Sequence, residues 1–444
     1  MREHVNYVII LNHSPEWNGL IEPLMKALCK SDKNIQILWE SDLAKNIFKN
    51  DKRFNNYKVR VIKSESSLSL KEETTPQGYV FSAEVDRWNN WRVKNPSIIE
   101  MYTYYKNVKK FILKHYQENK KWVFIYEKPS TALSFILLDL QEENVNISYA
   151  GLSPARIPGF TEIHASFLYK KKVEFKNTKR VARSTVENKT PEYATHNGNR
   201  AKLLGYLTLN KFRRFFFSFK YGRTSFQLQN ATAAYLGFVV NRVLRIIKKK
   251  LIQYDKVVLN NKYVVFPLHY HPEASTSLYA WWVPDELSLL TIIRRALPVD
   301  FQIIVKPHPN AIGQNYRLLN NIRKKIPGTL VIDPDTSNDT ILKNEKCKLL
   351  ITINSTMLLD AIKNKVPSAY FGSGPFPNTQ YCKQVNSTEN LYKEFQIVGA
   401  STVPETAYDD IIEDYIDSCE NFSLYDDNSL DSAVDFFNNY KGGA

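Results

Sequence analysis

An α/β architecture with parallel sheets in two domains is what this sequence predicts, on three grounds. Short apolar runs alternate with stretches of helical spacing along most of the chain, the pattern of successive βαβ units. In the second half, three such runs end in polar clusters: His269-Tyr270-His271-Pro272-Glu273, His308-Pro309-Asn310 and Asn354-Ser355-Thr356. The length, 444 residues, exceeds what one ordinary core serves and suits two domains. Loops at the carboxyl ends of parallel strands line one crevice, and ligands bind there. The three clusters are therefore expected to converge on one ligand, although they are distant in sequence.

The elements follow in order. Asn6 to Leu11 reads as a buried strand, Asn12-His13-Ser14-Pro15 as a turn, Leu20 to Leu28 as a helix and Ile35 to Trp39 as a second strand. This opening lacks GxGxxG, and Gly19 is the only nearby glycine, so dinucleotide binding is not expected. Tyr102 to Gln117 has helical spacing, and Trp122 to Tyr126 reads as a strand followed by Glu127. Pro129 and Ser130 suit a helix start, with the helix running to about Leu140. Ile147 to Tyr149 reads as a short strand, and a loop from Gly151 to Gly159 carries Arg156. The first domain is placed at residues 1–255, its part from 170 to 255 being a basic, aromatic inter-domain segment with a long helix from Asn230 to Ile252. The second domain is placed at 256–444, ending in tail helices at Asn390 to Phe395, Asp409 to Ile416 and Leu430 to Tyr440.

Composition narrows the partners. Lys and Arg number 60 against 45 Asp and Glu, a net charge of +15. That favours an anionic partner: a nucleotide-sugar, a phospholipid surface, an acidic glycan or nucleic acid. No RNP, KH or helix-turn-helix pattern is present, so nucleic acid is not expected. Cysteines 29, 347, 382 and 419 have neither metal-ligand spacing nor a disulfide framework, which suits a reducing compartment. The N-terminal apolar run is too short for a signal peptide, and no window reaches the roughly 18 apolar residues of a membrane-spanning helix. The expected location is the cytoplasm. The stretch containing Lys211, Arg213, Arg214 and Lys220 interleaved with phenylalanines suits an anionic membrane face; the same composition also suits inter-domain packing.

Each polar cluster has a plain reading and a chemical one. Ser355 and Thr356 stand between a strand and a helix, where a hydroxyl caps the helix; the free N–H groups of such a helix start also suit a phosphate. In Lys306-Pro307-His308-Pro309 the prolines fix the backbone around His308, which is then either a buried loop histidine or a donor to phosphate, with Lys306 beside it. Glu273 lies beside His269 and His271. It reads as a first-turn helix residue, or as a carboxylate placed for acid/base work or nucleophilic attack. His269 and His271 alternate, so only one is expected to face the crevice. Asp333-Pro334-Asp335 has DxD spacing but leads into a polar stretch, so it reads as a capping turn.

Thr352-Ile353-Asn354-Ser355-Thr356, with Asp360-Ala361-Ile362, Lys365-Val366-Pro367, Phe371-Gly372 and the upstream Lys306-Pro307-His308-Pro309, resembles the bacterial capsule-polysaccharide biosynthesis family, which includes the retaining β-Kdo transferases. The resemblance is carried by the second domain. It departs at Leu358 and Asp360, where the family usually has Gly and Glu, and at Glu273, where it typically has Asp. The resemblance implies a GT-B glycosyltransferase: two Rossmann-like domains facing a central cleft, with a C-terminal helix crossing back to the first. It implies a CMP-activated donor, such as CMP-Kdo, as substrate, with no cofactor and no metal. Lys306, His308, Pro309, Asn354, Ser355 and Thr356 would hold the donor phosphate and Asp360 the ribose. Glu273 and His271 would serve catalysis, with Glu273 as nucleophile or general base. Glu127 and Arg156 would meet the acceptor glycan or glycolipid, or a sugar carboxylate. Other polysaccharide-assembly proteins are expected partners, and a peripheral place on the inner membrane face is the expected site of action. Two rivals stand beside this: a CDP-polyol phosphotransferase of the teichoic-acid kind, and a non-catalytic capsule assembly or export factor.

Overall fold

The computed structural model describes residues 5–12, 14–31, 34–62, 96–116, 120–144, 146–166, 250–257, 260–271, 274–311 and 313–440, with isolated positions between. The chain divides into two compact units, Met1–Leu236 with Ile416–Ala444, and Gly237–Tyr415.

In the first unit β1 (Val5–Leu11), β2 (Asn34–Trp39), β3 (Lys58–Val61), β4 (Lys121–Glu127), β5 (Ile147–Pro154) and β6 (Thr161–His164) form a six-stranded sheet. Its order is β3-β2-β1-β4-β5-β6, and every pairing is parallel except β5 with β6. The run Tyr7 to Leu11 is wholly buried, as a central strand covered on both faces requires. Helices α1 (Pro15–Lys30), α2 (Asp42–Ile47), α3 (Ile98–His115) and α4 (Ala132–Glu143) connect the strands. Their starts are set by short polar side chains: Ser14 accepts from the Trp17 N–H, Ser97 forms a capping box with Glu100, and Thr131 forms one with Ser134. The α4 helix thus begins after Thr131 rather than at Pro129 and Ser130.

Gly151 to Pro154 is strand, not the expected loop. It pairs with β6, a strand the apolar pattern did not mark. Gly151 is what permits this, because a Cβ there would lie 2.6 Å from the Tyr149 hydroxyl and 3.0 Å from the His164 carbonyl.

The second unit contains β7 (Tyr263–Pro267), α5 (Ala274–Ser277), α6 (Glu286–Ala296), β8 (Gln302–Lys306), α7 (Tyr316–Lys325), β9 (Thr329–Val331) and α8 (Asn338–Leu342). It continues through β10 (Cys347–Thr352), α9 (Met357–Lys363), β11 (Ser368–Tyr370), β12 (Cys382–Gln384), α10 (Leu391–Gly399) and α11 (Ala407–Asp417). Its sheet, β12-β11-β10-β7-β8-β9, is parallel throughout. Val264 and Phe266 of β7 pack into one core and Tyr263 and Val265 into another, the period-two alternation of a strand covered on both faces. Counted in chain order within each unit, both sheets run 3-2-1-4-5-6. This is the doubly wound order, with its topological switch between the first and fourth strands. The expected α/β fold of two Rossmann-like sheets is the observed one.

The last helix, α12 (Leu430–Asn439), returns to the first unit. It packs against α1. The Tyr7 hydroxyl donates to the Phe437 carbonyl at 2.5 Å, and the Tyr440 hydroxyl to the Tyr149 carbonyl at 2.7 Å. Backbone hydrogen bonds join Thr161 and Glu420 in both directions. The tail therefore belongs with the first sheet, as the expected return of a C-terminal helix requires, whereas the expected limits, 1–255 and 256–444, count it with the second domain. The reason is aromatic burial, since Phe422, Phe436, Phe437 and Tyr440 are all covered there. Among the described residues no helix is long and apolar enough to cross a membrane. Of the basic aromatic stretch from Lys211 to Lys220 only Phe216, which is exposed, is described; the remainder lies outside the described residues.

Glu420 gives a pH test of the tail. Burial raises its carboxyl from the ordinary 4.5 to about 7. The folded chain then holds a proton that the unfolded chain has lost, so this group's stabilising contribution is full below pH 4.5 and is lost as pH rises through 7. Glu420→Gln should melt like the parent at pH 4.5 and at a higher temperature than the parent at pH 8. An equal melting difference at both pH values would rule out the buried carboxyl as the cause.

Candidate functional site

The second unit's switch point lies between β7 and β10. There the Asn354 backbone N–H donates to His269 Nε2 at 3.3 Å, a contact between residues 85 apart in sequence. With Nε2 accepting, the ring proton of His269 sits on Nδ1, which faces Glu286 Oε1 at 3.4 Å. The same Oε1 accepts the His269 backbone N–H at 2.7 Å. Glu286 Oε2 lies 3.3 Å from His271 Nε2. Beyond the ring, Thr276 Oγ1 lies 3.5 Å from His271 Nδ1, and the Gln314 amide donates to the His271 carbonyl. Burial alone would raise the Glu286 carboxyl, but hydrogen bonds and charge from His269 and His271 outweigh it and hold it at about 2.

The two histidines share this carboxylate, yet they differ in exposure. Both reach Glu286. His269 is 4% exposed and committed to the sheet seam, whereas the His271 side chain is 34% exposed. Glu286 itself was not legible as a site residue. As the first residue of α6 after the N-cap Asp285, it reads as an ordinary helix-start acid, and only its burial sets it apart. Pro272 and Glu273 lie outside the described residues.

At the end of β8, Lys306 Nζ donates to Asn338 Oδ1 at 2.5 Å, and Asn338 Nδ2 donates to Asp360 Oδ2 at 2.6 Å. Two candidate ligand contacts are thus joined through a residue that sequence reasoning placed only in a turn. Burial lowers Lys306, with the charges of Asp360 and Asp335 opposing, and burial raises Asp360, with the Asn338 bond opposing. His308 follows, its ring 6.0 Å from that of Tyr270. Pro309 opens a short 3-10 turn, Pro309–Ala311, in which the Ala311 N–H donates to the His308 carbonyl. Asp333 Oδ1 accepts from the Asp335 N–H, closing a turn.

At the end of β10, Asn354 is buried. Its Nδ2 donates to the Ser373 carbonyl at 2.9 Å, and its Oδ1 has no hydrogen-bond partner among the described residues. Ser355 Oγ accepts from the Met357 N–H at 3.2 Å. Thr356 occupies the N-cap position, is exposed and makes no side-chain cap bond, so the capping expected of the pair falls to Ser355 alone. Gly372 and Gly374 close over Asn354: a Cβ would come within 3.2 Å of the Asn354 Cβ at Gly372 and 2.8 Å of its Oδ1 at Gly374. Leu358, where the resemblance departs, is wholly buried in the core.

The first unit has its own polar cluster at the β1/β4 switch. Glu127 is the last residue of β4, and its Oε1 accepts from Asn12 Nδ2 at 2.8 Å. The Tyr126 hydroxyl donates to Glu40 Oε2 at 3.1 Å. Asn12 and Glu40 therefore join Glu127, although the sequence marked Asn12 only as a turn residue. Arg156 lies past β5 in the field of buried Glu162. Burial raises that carboxyl, while His164, Lys128 and Arg156 bring it far below the ordinary range. A hollow of about 550 Å³ between α1 and α12 is lined by Glu22, Lys26, Lys30 and Asp431. It borders the last turns of α1, remote from the strand ends that carry these clusters.

No family model matches the sequence, and no curated protein matches it. Among solved structures the chain is similar to the β-Kdo 2,7 transferase KpsC of Thermosulfurimonas dismutans, at 12% identity over 69% of this chain and 88% of that one, with a TM-score of 0.32. It is similar to a glycosyltransferase from Rickettsia africae, at 11% identity over 98% of each chain and a TM-score of 0.30. It is also similar to UDP-GlcNAc 2-epimerase from Neisseria meningitidis bound to UDP-GlcNAc, at 10% identity over 92% of this chain and 98% of that one, with a TM-score of 0.25.

Proposed function

We propose that this protein is a glycosyltransferase of capsule or lipopolysaccharide assembly that transfers a sugar acid such as Kdo from a CMP-activated donor to a glycan or glycolipid. The observation that carries this reading is the His269–Asn354 bond. It brings the His-rich loop of β7 and the Asn354-Ser355-Thr356 loop of β10 together at a switch point, the position where doubly wound sheets bind nucleotides. Lys306 ends the adjacent strand and His308 lies two residues beyond it, and the net charge of +15 suits an anionic donor.

In the proposed reaction the anomeric C–O bond to the CMP phosphate breaks, and a bond forms to the acceptor hydroxyl oxygen. Lys306, His308 and the Ser355 hydroxyl stabilise charge on the leaving phosphate, so the reaction draws on protein cations rather than a metal. Asp360, braced by Asn338, accepts from the ribose hydroxyls. Glu273 acts at the anomeric carbon as nucleophile, or serves as general base, and His271 attends the acceptor proton. Glu127 and Arg156 engage the acceptor or a sugar carboxylate. Lys211, Arg213, Arg214 and Lys220 hold the enzyme at an anionic membrane face, alongside other assembly proteins.

Calorimetric titration with CMP, CDP and UDP tests the donor. CMP should bind most tightly, whereas preference for CDP would indicate polyol-phosphate transfer and absence of nucleotide binding an assembly factor. Replacing Lys306 by Met with His308 by Ala should weaken CMP by about 1.5–3 kcal/mol, the scale of one hydrogen bond to a charged group; unchanged affinity in the folded variant removes the phosphate assignment. Glu273→Gln should lower turnover by about 100-fold or more with CMP affinity retained. Normal turnover would move the catalytic role elsewhere, beginning with Glu127.

A further inference from the structure

We propose that Glu286 is a positioning residue that holds the Nε2 proton of His271 in a fixed hydrogen bond, leaving Nδ1 as the basic nitrogen presented, beside the Thr276 hydroxyl, at the mouth of the site. Both carboxylate oxygens are engaged, Oε1 by the His269 backbone N–H at 2.7 Å and Oε2 by His271 Nε2 at 3.3 Å. An ionised carboxylate only accepts hydrogen bonds, so the nitrogen facing it carries the proton. The other nitrogen of a neutral ring is then an acceptor. That nitrogen lies 3.5 Å from Thr276 Oγ1. Hydroxyl, imidazole and carboxylate follow one another in line, and the ring is the step between a buried acid and a partly open surface: the Glu286 side chain is 3% exposed and that of His271 34%.

A second such trio, in the first unit, shows what the geometry excludes. Ser153 Oγ and Glu162 Oε2 both lie 3.2 Å from the same nitrogen, His164 Nε2, and Ser153 donates directly to Glu162 at 2.8 Å. That imidazole does not stand between hydroxyl and acid, and all three residues are buried. At His271 the two partners take opposite ring nitrogens.

The use of this base in sugar transfer rests on the function proposed above. There, Nδ1 takes the acceptor hydroxyl proton as that oxygen bonds to the anomeric carbon and the bond from that carbon to its leaving oxygen breaks. The ring then carries a proton on each nitrogen, and its charge faces Glu286. Among the described residues, the titratable groups facing this carboxylate are His269 and His271.

NMR of the full chain with ¹⁵N-labelled histidine, assigned with His271→Ala, reads the tautomer directly. The parent should show His271 protonated at Nε2 and bare at Nδ1 at high pH. In Glu286→Gln the ring should titrate at lower pH than in the parent, since a neighbouring negative charge is gone. Turnover should fall by about tenfold or more, and Glu286→Asp should recover part of it. In a His271→Ala background Glu286→Gln should cost no further turnover. A parent ring protonated at Nδ1 with Nε2 bare overturns the proposal, whether or not the variants fold, as does an unmoved titration in folded Glu286→Gln. A shifted titration in a protein inactive on every CMP-sugar upholds the positioning role and counts against the transfer reading instead.

Discussion

The hydrogen bond from the Asn354 backbone N–H to His269 is the contact on which the second unit's ligand-side surface depends. At a switch point the crossover connections leave in opposite directions, so the two strand ends are neighbours with no helix between them. Something must close the seam and satisfy the exposed backbone, because a buried N–H without a partner costs about 1–3 kcal/mol. An imidazole does both when its Nε2 accepts, and Glu286 anchors its loop by accepting the His269 backbone N–H at 2.7 Å. Gly372 and Gly374 let the following loop settle over Asn354 from above. A carboxylate, an imidazole, an amide and two glycines thus form one built corner, with His271, Tyr270 and Ser355 around it.

The first unit closes its own switch in a related manner with different chemistry. Asn12 follows β1 directly and reaches across to the last residue of β4, Glu127. An asparagine just beyond a strand is suited to this, since its short side chain offers both donor and acceptor. In one unit the asparagine uses its side chain on a carboxylate, in the other its backbone on an imidazole. The strand order is common to both sheets, and the chemistry at the two switches is not.

Much of this was legible in the sequence, for definite reasons. Strands buried on both faces read as continuous apolar runs, so β1, β2, β4, β7, β8 and β10 stand out, and their polar endings mark the carboxyl-end surface. What stayed hidden depends on tertiary position. Glu286 differs from the exposed Asp285 only in burial, and burial is fixed by where α6 lands against the β7 loop. Asn338 looks like any turn residue until Lys306 and Asp360 are brought to either side of it. The strand from Gly151 onward was hidden by its glycine and proline, which read locally as a loop although they fit an edge pair. The return of the tail to the first unit was expected from the family resemblance alone; nothing local in Phe422, Phe436, Phe437 and Tyr440 says which unit covers them.

That tail makes the second unit an insertion. Strand β1 leaves the ribosome well before α12, yet the Tyr7 hydroxyl pairs with a carbonyl 430 residues later. Domains usually fold as they emerge, N-terminal first, but this N-terminal sheet has one flank uncovered until translation reaches α12. The apolar side of α1 must wait through synthesis of the whole inserted unit, exposed to chaperones and to other nascent chains. The inserted unit has no such delay, since Gly237–Tyr415 contains all six of its strands. Translation order and folding order are therefore expected to run opposite ways: the part made second can finish first, and the part begun first is sealed last.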